Sequence, residues 1–300
     1  VNNFPTSPTL DLRGKLLTLD QPRICGILNI TPDSFSDGGK FLDISTAVDR
    51  ALKMVEEGAD LIDIGGESTR PGATAVSASE EIDRVIPVIE QLAKVVSTPI
   101  SIDTSKPEVM RAAVAAGAGM INDVYALRQE GALEAAADSG AAICLMHMQG
   151  EPRSMQENPQ YDDVVGEVHR FLTERIFACQ LAGIDKKKIV IDPGFGFGKT
   201  LEHNVALLRE LSRFASLGVP VLVGLSRKSM IGALTSQPLE QRVHGSIAAA
   251  LIAVQNGANI VRVHDVAATR DALAIWNTIK WEKENFSKKS STKPNLWDDD

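Results

Sequence analysis

The sequence predicts a (β/α)8 TIM barrel, with a short hairpin ahead of it and a disordered tail behind. Three features point there: eight short apolar runs, amphipathic segments between them, and polar residues gathered where the runs end. The runs are ICGIL (24 to 28), LIDIG (61 to 65), ISID (100 to 103), MIND (120 to 123), AICLM (142 to 146), IVID (189 to 192), VLVGLS (221 to 226) and IVRVH (260 to 264). Between most of them apolar residues recur three and four apart, as in Ala47, Ala51, Met54 and Val55, or Val85, Val88, Ile89 and Leu92. That is the period of a helix with one buried face. Strand then helix, repeated, builds a parallel sheet. Closure is preferred to an open doubly wound sheet because the eighth run carries site-type residues as the first does.

Local signals mark the helix ends. Ser77 with Glu80, and Ser105 with Glu108, have the spacing of a capping box. Gly58, Gly117, Gly140, Gly183 and Gly257 each precede a strand by a few residues, where a left-handed position after a helix favours glycine. Residues 24 to 282 therefore make up the barrel. Within residues 1 to 23, Leu10 to Leu19 alternates around Arg13, Gly14 and Lys15, which suits a hairpin over the N-terminal mouth of the barrel or, equally, a loose arm. From 283 to 300 the chain is polar and rich in Lys and Ser, with too little apolar surface to offset its ordering entropy.

A net charge of −8 excludes a broad nucleic-acid or acidic-membrane surface, which needs a basic patch to displace counterions. The three cysteines, Cys25, Cys144 and Cys179, have no metal-ligand spacing and suit a reducing compartment. Val1 to Gln21 lacks an apolar core, and no run reaches the roughly 18 apolar residues of a membrane span. A soluble, cytoplasmic protein is expected.

Side chains alternate across a strand, so parity sorts the polar residues. With Ile100 and Ile102 facing the helices, Ser101 and Asp103 turn inward. Val190 pairs with Asp192, and Arg262 and His264 oppose Val261 and Val263. If the seventh strand stays extended, Leu222, Gly224, Ser226 and Lys228 share one register. Asn29, Asp63 and Asn122 complete the set. Any one of them is as readily a capping residue as a ligand, but a purely structural barrel has no reason to collect them all at the strand ends, where barrel enzymes place their chemistry. Asp103, Asn122, Asp192 and Lys228 suit the edge of a planar, nitrogen-rich heterocycle, whereas Arg262 and His264 suit an anion such as phosphate.

The Gly-, Ser- and Asp-rich loops 31 to 40 and 67 to 78, carrying Phe35, Arg70 and Pro71, resemble lids with hinge glycines. Gly194 to Lys199 lacks the spacing of a nucleotide-binding loop and is read as a wall of the pocket. No HExxH or paired His/Cys motif occurs. His169 and His203 fall on helical stretches, His147 has outward parity, and His244 is uninformative.

At these residues the sequence resembles a known family. GILNITPDSFSDGG (26 to 39), DIGGESTRPGA (63 to 73), SIDTSKPEV (101 to 109), DPGFGFGK (192 to 199), GLSRKSMIG (224 to 232) and RVHDV (262 to 266) are similar to the bacterial dihydropteroate synthases of the folate pathway. The likeness runs from about residue 24 to residue 280. It implies a barrel, usually a homodimer, that joins 6-hydroxymethyl-7,8-dihydropterin diphosphate to 4-aminobenzoate. It implies that Asp103, Asn122, Asp192 and Lys228 hold the pterin, with Met146 lining its pocket. Asn29, Thr69, Arg70, Arg262 and His264 would meet the diphosphate, with Mg²⁺ at Asn29. Thr69, Arg70, Pro71, Phe35, Phe197 and Ser226 would shape the aminobenzoate site. Asp103, Lys228, Arg262 and His264 would carry the catalysis. Two rivals stand beside this reading. A pterin-binding methyltransferase barrel would not need the 31 to 39 loop, and a non-catalytic homologue would have lost some of the charged strand ends.

Overall fold

In the computed structural model, residues 8–30, 40–68, 75–151 and 154–281 are described; the tail, and site residues Phe35, Thr69, Arg70 and Pro71, lie outside them. Strands β3 (Arg23–Asn29), β4 (Leu61–Gly65), β5 (Ile100–Asp103), β6 (Met120–Asp123), β7 (Ala142–Met146), β8 (Ile189–Asp192), β9 (Leu222–Val223) and β10 (Ile260–Val263) form one parallel sheet in the order β8-β7-β6-β5-β4-β3-β10-β9. A parallel bridge between Ile191 and Val221 joins its two edges, so the barrel closes. Helices including α1 (Lys40–Glu56), α2 (Ala78–Val95), α5 (Val164–Leu181), α8 (Val243–Gln255) and α9 (Val266–Trp281) cover the outside. Their apolar stripes meet the outward strand residues in one continuous core.

The predicted hairpin is present. Strands β1 (Thr9–Leu12) and β2 (Lys15–Thr18) pair antiparallel across Arg13 and Gly14, both at positive φ (57° and 90°), as a tight two-residue turn requires. Alternation puts Leu10, Leu12 and Leu17 on one face, and with Leu19 they pack onto inward residues of every barrel strand except β5: Cys25, Leu61, Met120, Ala142, Cys144, Val190, Leu222 and Ile260. The contact is so close at β6 that a Cβ on Gly119 would lie 2.6 Å from the Leu12 carbonyl oxygen. An apolar plug thus seals the N-terminal end, and polar chemistry is confined to the other.

All five glycines expected after helices have positive φ. Ser77 caps α2, its hydroxyl accepting from the Glu80 N–H. Two expectations fail. Ser105 does not cap α3 (Pro107–Ala116), whose N-cap is Lys106; its hydroxyl instead donates to Asp123 at 2.6 Å, because a buried carboxylate demands donors more strongly than a helix start. Nor does the seventh barrel strand stay extended. It ends at Val223, and Arg227 turns left-handed at φ 58° before α7 (Ser229–Thr235) begins, so simple alternation does not reach Lys228.

Candidate active site

The site grows out of strand-end parity. Asp63, inward between Leu61 and Gly65 on β4, is fully buried, and its Oδ2 accepts from the Arg262 Nε at 2.5 Å and the Asn122 Nδ2 at 3.0 Å. Arg262, from β10, donates through Nη2 to Asp103 at the end of β5, 2.7 Å away. Two carboxylates from adjacent strands therefore share one guanidinium. Burial works against the arginine's charge, yet Asp63 and Asp103 together outweigh it and hold Arg262 above its ordinary pKa. Burial pushes the Asp103 carboxyl up to about 7, Arg262 pulling against it and Asp63 adding to the rise. Asn29 ends β3 beside Gly65, where an added Cβ would lie 3.8 Å from its Oδ1 and 3.5 Å from the Asp103 Cβ.

Across the mouth, Asp192 ends β8 and accepts from the Gly194 N–H at 2.7 Å. Burial raises its pKa, and the nearby Lys228 ammonium opposes the rise. Lys228 precedes α7, donates to the Phe195 carbonyl and sits 4.5 Å above the Phe197 ring. Burial brings it down to about 8, with Asp192 opposing and Arg262 reinforcing the shift. Met146, at the end of β7, lies in an apolar cluster with Val124, Met148 and Met155, against which Tyr125 and Phe197 pack.

Beyond Arg262, the Ser226 hydroxyl accepts from the His264 N–H at 3.2 Å and lies 3.0 Å from its Nδ1. These contacts couple the loop after β9 to the end of β10. Arg227, in its strained conformation, is held by a fork to Asp265 at 2.5 and 2.9 Å. Asp103, Asn122, Asp192, Lys228, Met146, Asn29, Arg262, His264, Ser226 and Phe197 thus all lie on the C-terminal strand ends or the loops leaving them.

Asp63 belongs to the inward set that parity gives, but nothing in LIDIG marks it as the centre of the hydrogen bonding, and three further features carry no signal in the sequence. Lys106 donates to Glu67 and to fully buried Glu81, 2.6 Å each, tying the exits of β4 and β5 together. His203 caps α6 (Leu201–Arg209) in a capping box with Thr200. His147 keeps its outward parity but is buried, and it pairs with buried Lys199.

A planar donor–acceptor edge on one side, an arginine and a histidine on the other, and an apolar face between them suit a heterocycle bearing an anionic arm. The pterin-binding enzyme family matches residues 25–264. The dihydropteroate synthase of Escherichia coli K12 is 52% identical over 273 residues, which cover 91% of this chain and 97% of that protein. The Xanthomonas albilineans dihydropteroate synthase solved with 4-aminobenzoic acid is 62% identical with a TM-score of 0.87, covering 92% of this chain and 99% of that one. A structure of the X. albilineans protein in complex with 7,8-dihydropteroate superposes with a TM-score of 0.84 at 59% identity, covering 91% and 99%.

Asp63→Asn should lower the unfolding free energy by about 3 kcal/mol or more, because it leaves a half-compensated guanidinium in a buried site. Urea denaturation measures it, and a change below roughly 0.5 kcal/mol would show that Asp103 alone suffices to hold Arg262.

Proposed function

The chain belongs to the pterin-binding enzyme family, and within it to the dihydropteroate synthases, and from that premise we propose that it condenses 6-hydroxymethyl-7,8-dihydropterin diphosphate with 4-aminobenzoate to give 7,8-dihydropteroate and diphosphate. The observation that carries the reading is Arg262, held between Asp63 and Asp103 so that it links a heterocycle edge to an anion site.

Asp103, Asn122, Asp192 and Lys228 hold the dihydropterin edge, with Met146 against the ring. Arg262, His264 and Asn29, joined by Thr69 and Arg70, meet the diphosphate. Thr69, Arg70, Pro71, Phe35, Phe197 and Ser226 shape the arylamine site. The bond from the pterin methylene carbon to the diphosphate oxygen breaks first, and its electron pair leaves with diphosphate as Arg262 and His264 neutralise the growing charge. Cationic character spreads into the electron-rich dihydropterin, favoured by the Asp103 carboxylate. The amine lone pair then forms the carbon–nitrogen bond, and the surplus proton passes to water. An arylamine is nucleophilic enough to need no strong base.

Mg²⁺ belongs to this reading. Asn29 offers a single neutral oxygen, and among the described residues no group of three or more His, Cys, Asp or Glu could cage a metal. That donor set fits a hard ion that keeps most of its water and arrives with the diphosphate. When bound it supplies further charge neutralisation on the leaving group.

A homodimer is also proposed. Helix α8 is rich in apolar residues around its circumference, and its Ile252 is 46% exposed; on the adjacent α9, Ile275 and Ile279 are 63% and 64% exposed. Replacing Ile275 and Ile279 by Glu should convert a two-copy species into one copy by sedimentation; a parent chain that already sediments singly at micromolar concentration would remove the basis for the pairing.

The assay is diphosphate release with both substrates, with and without Mg²⁺. Activity needing both substrates and Mg²⁺ is expected, and Arg262→Ala should abolish it in a folded barrel. A chain that moves a methyl group instead, or turns nothing over, would overturn the assignment. Positional isotope exchange in the diphosphate without aminobenzoate tests the order of bond breaking: scrambling is expected, and bond cleavage strictly dependent on the amine would refute the dissociative path.

Activity should also be bell-shaped in pH. kcat/KM rises as Asp103 loses its proton near about 7 and falls as Lys228 loses its own near about 8. Initial rates across buffers check this, and a flat profile between roughly pH 6 and pH 9 would count against both charges being required.

A further inference from the structure

Lys199 is a buried lysine that none of the roles above uses; burial drives its pKa well below the ordinary lysine value, with Asp192 opposing and Lys228 adding to the fall. It is 3% exposed, and its Nζ lies 2.9 Å from each of three acceptors: His147 Nδ1, the Gly194 carbonyl and the Phe197 carbonyl. A fourth acceptor, the His147 backbone carbonyl, lies 3.3 Å away, so the amine is fully surrounded by acceptors. Burial, with Lys199 beside it, brings His147 down to about 2, so its ring is neutral and Nδ1 can accept with the proton on Nε2. The ring is wedged edge-on against Phe171, 4.8 Å between centroids.

The carbonyls it gathers belong to a glycine-rich loop with a backbone bond of its own from the Phe197 N–H to the Gly194 carbonyl, 3.1 Å. Gly194, Gly196 and Gly198 all have positive φ (73°, 78° and 60°); side chains at 194 and 198 would strike the backbone of residues 147 and 149, and one at 196 would crowd the Lys228 stem. Asn204 accepts from the Gly196 N–H at 2.7 Å, and Tyr161 donates to the Gly198 carbonyl at 2.8 Å. The rim between them, Phe195 to Phe197, turns its Phe195 carbonyl and Phe197 ring toward Lys228.

We propose that Lys199, with His147 as its acceptor, is a positioning residue that locks this loop so that the Phe195 carbonyl and Phe197 ring aim Lys228 at the dihydropterin. The inference rests on the assignment of Lys228 to that substrate. A buried ammonium in contact only with neutral acceptors is costly to keep, and a loop of alternating glycines needs such an anchor.

Three variants test it. Lys199→Met keeps the stem and removes the donors, His147→Leu removes the ring acceptor and keeps the backbone carbonyl, and His147→Asn restores an acceptor close to Nδ1. Lys199→Met and His147→Leu should raise KM for the dihydropterin diphosphate by about tenfold or more and move the alkaline limb of kcat/KM upward, because Lys228 leaves its buried seat; His147→Asn should recover most of both. Wild-type KM and an unmoved alkaline limb in either disruptive variant would overturn the proposal, as would His147→Asn behaving like His147→Leu. Should Lys199→Met fail to fold by circular dichroism, the two His147 variants decide it. A wild-type chain that forms no dihydropteroate removes the assignment underneath, and the clamp with it; wild-type activity with indifferent variants removes the clamp alone.

Discussion

Arg262 can be charged and aimed only because two carboxylates reach it from adjacent strands. In a low-dielectric barrel mouth an unpaired guanidinium would be strongly unfavourable, and a single carboxylate would leave it free to swing toward either substrate end. Asp63 engages Nε and Asp103 engages Nη2, which fixes the plane of the fork. The arrangement carries one more negative charge than it balances. Burial raises the proton affinity of Asp103 and Asp63 adds to the rise, while the surplus itself is the electrostatic environment a developing cation requires. The charge that is awkward in the empty site is useful in the transition state.

The opposite end of the barrel makes this affordable in space rather than in charge. Because the hairpin leucines and the inward residues of seven strands fill the lower barrel, water reaches the polar residues only from the rim. The exception, β5, carries Ser101 where the others carry apolar side chains, and Ser101 lies in register with Asp63. Polarity therefore begins one layer below the visible site. The same feature makes the burial-driven shifts of Asp103, Asp192 and Lys228 a property of the fold and not of individual residues.

Parity made much of this legible in advance. Alternation alone turns Asp103, Asp192 and Arg262 inward, and the long motifs attach a family to them. Alternation failed where the backbone left the strand: Arg227 adopts a left-handed conformation that no local signal near residues 224 to 228 announces, and Lys228 reaches the site by a turn. Pairing was also hidden. Ser105 has the spacing of a cap, but Asp123, eighteen residues on, outbids the helix because its buried oxygens need Ser105 and the N–H groups of Tyr125 and Leu127. In the sequence Lys199 is only the end of a glycine loop, since nothing in a one-dimensional pattern shows that His147 lies beside it.

These failures share a cause that bears on how the site works. The residues sequence parity found are those mounted on strands, where geometry is periodic; the residues it missed act through loops, where a side chain must supply the rigidity that the ladder supplies elsewhere. Lys199 and Arg227 hold loop backbone and a carboxylate in place beside Phe197, Ser226 and Lys228, and Lys106 ties Glu67 to Glu81. In a dissociative displacement the reactive carbon is exposed to any nucleophile nearby, so selectivity for the amine over water depends on how little the walls move. A site whose chemistry asks for no strong base still asks for stiff walls, and these loop-borne lysines and Arg227 supply them.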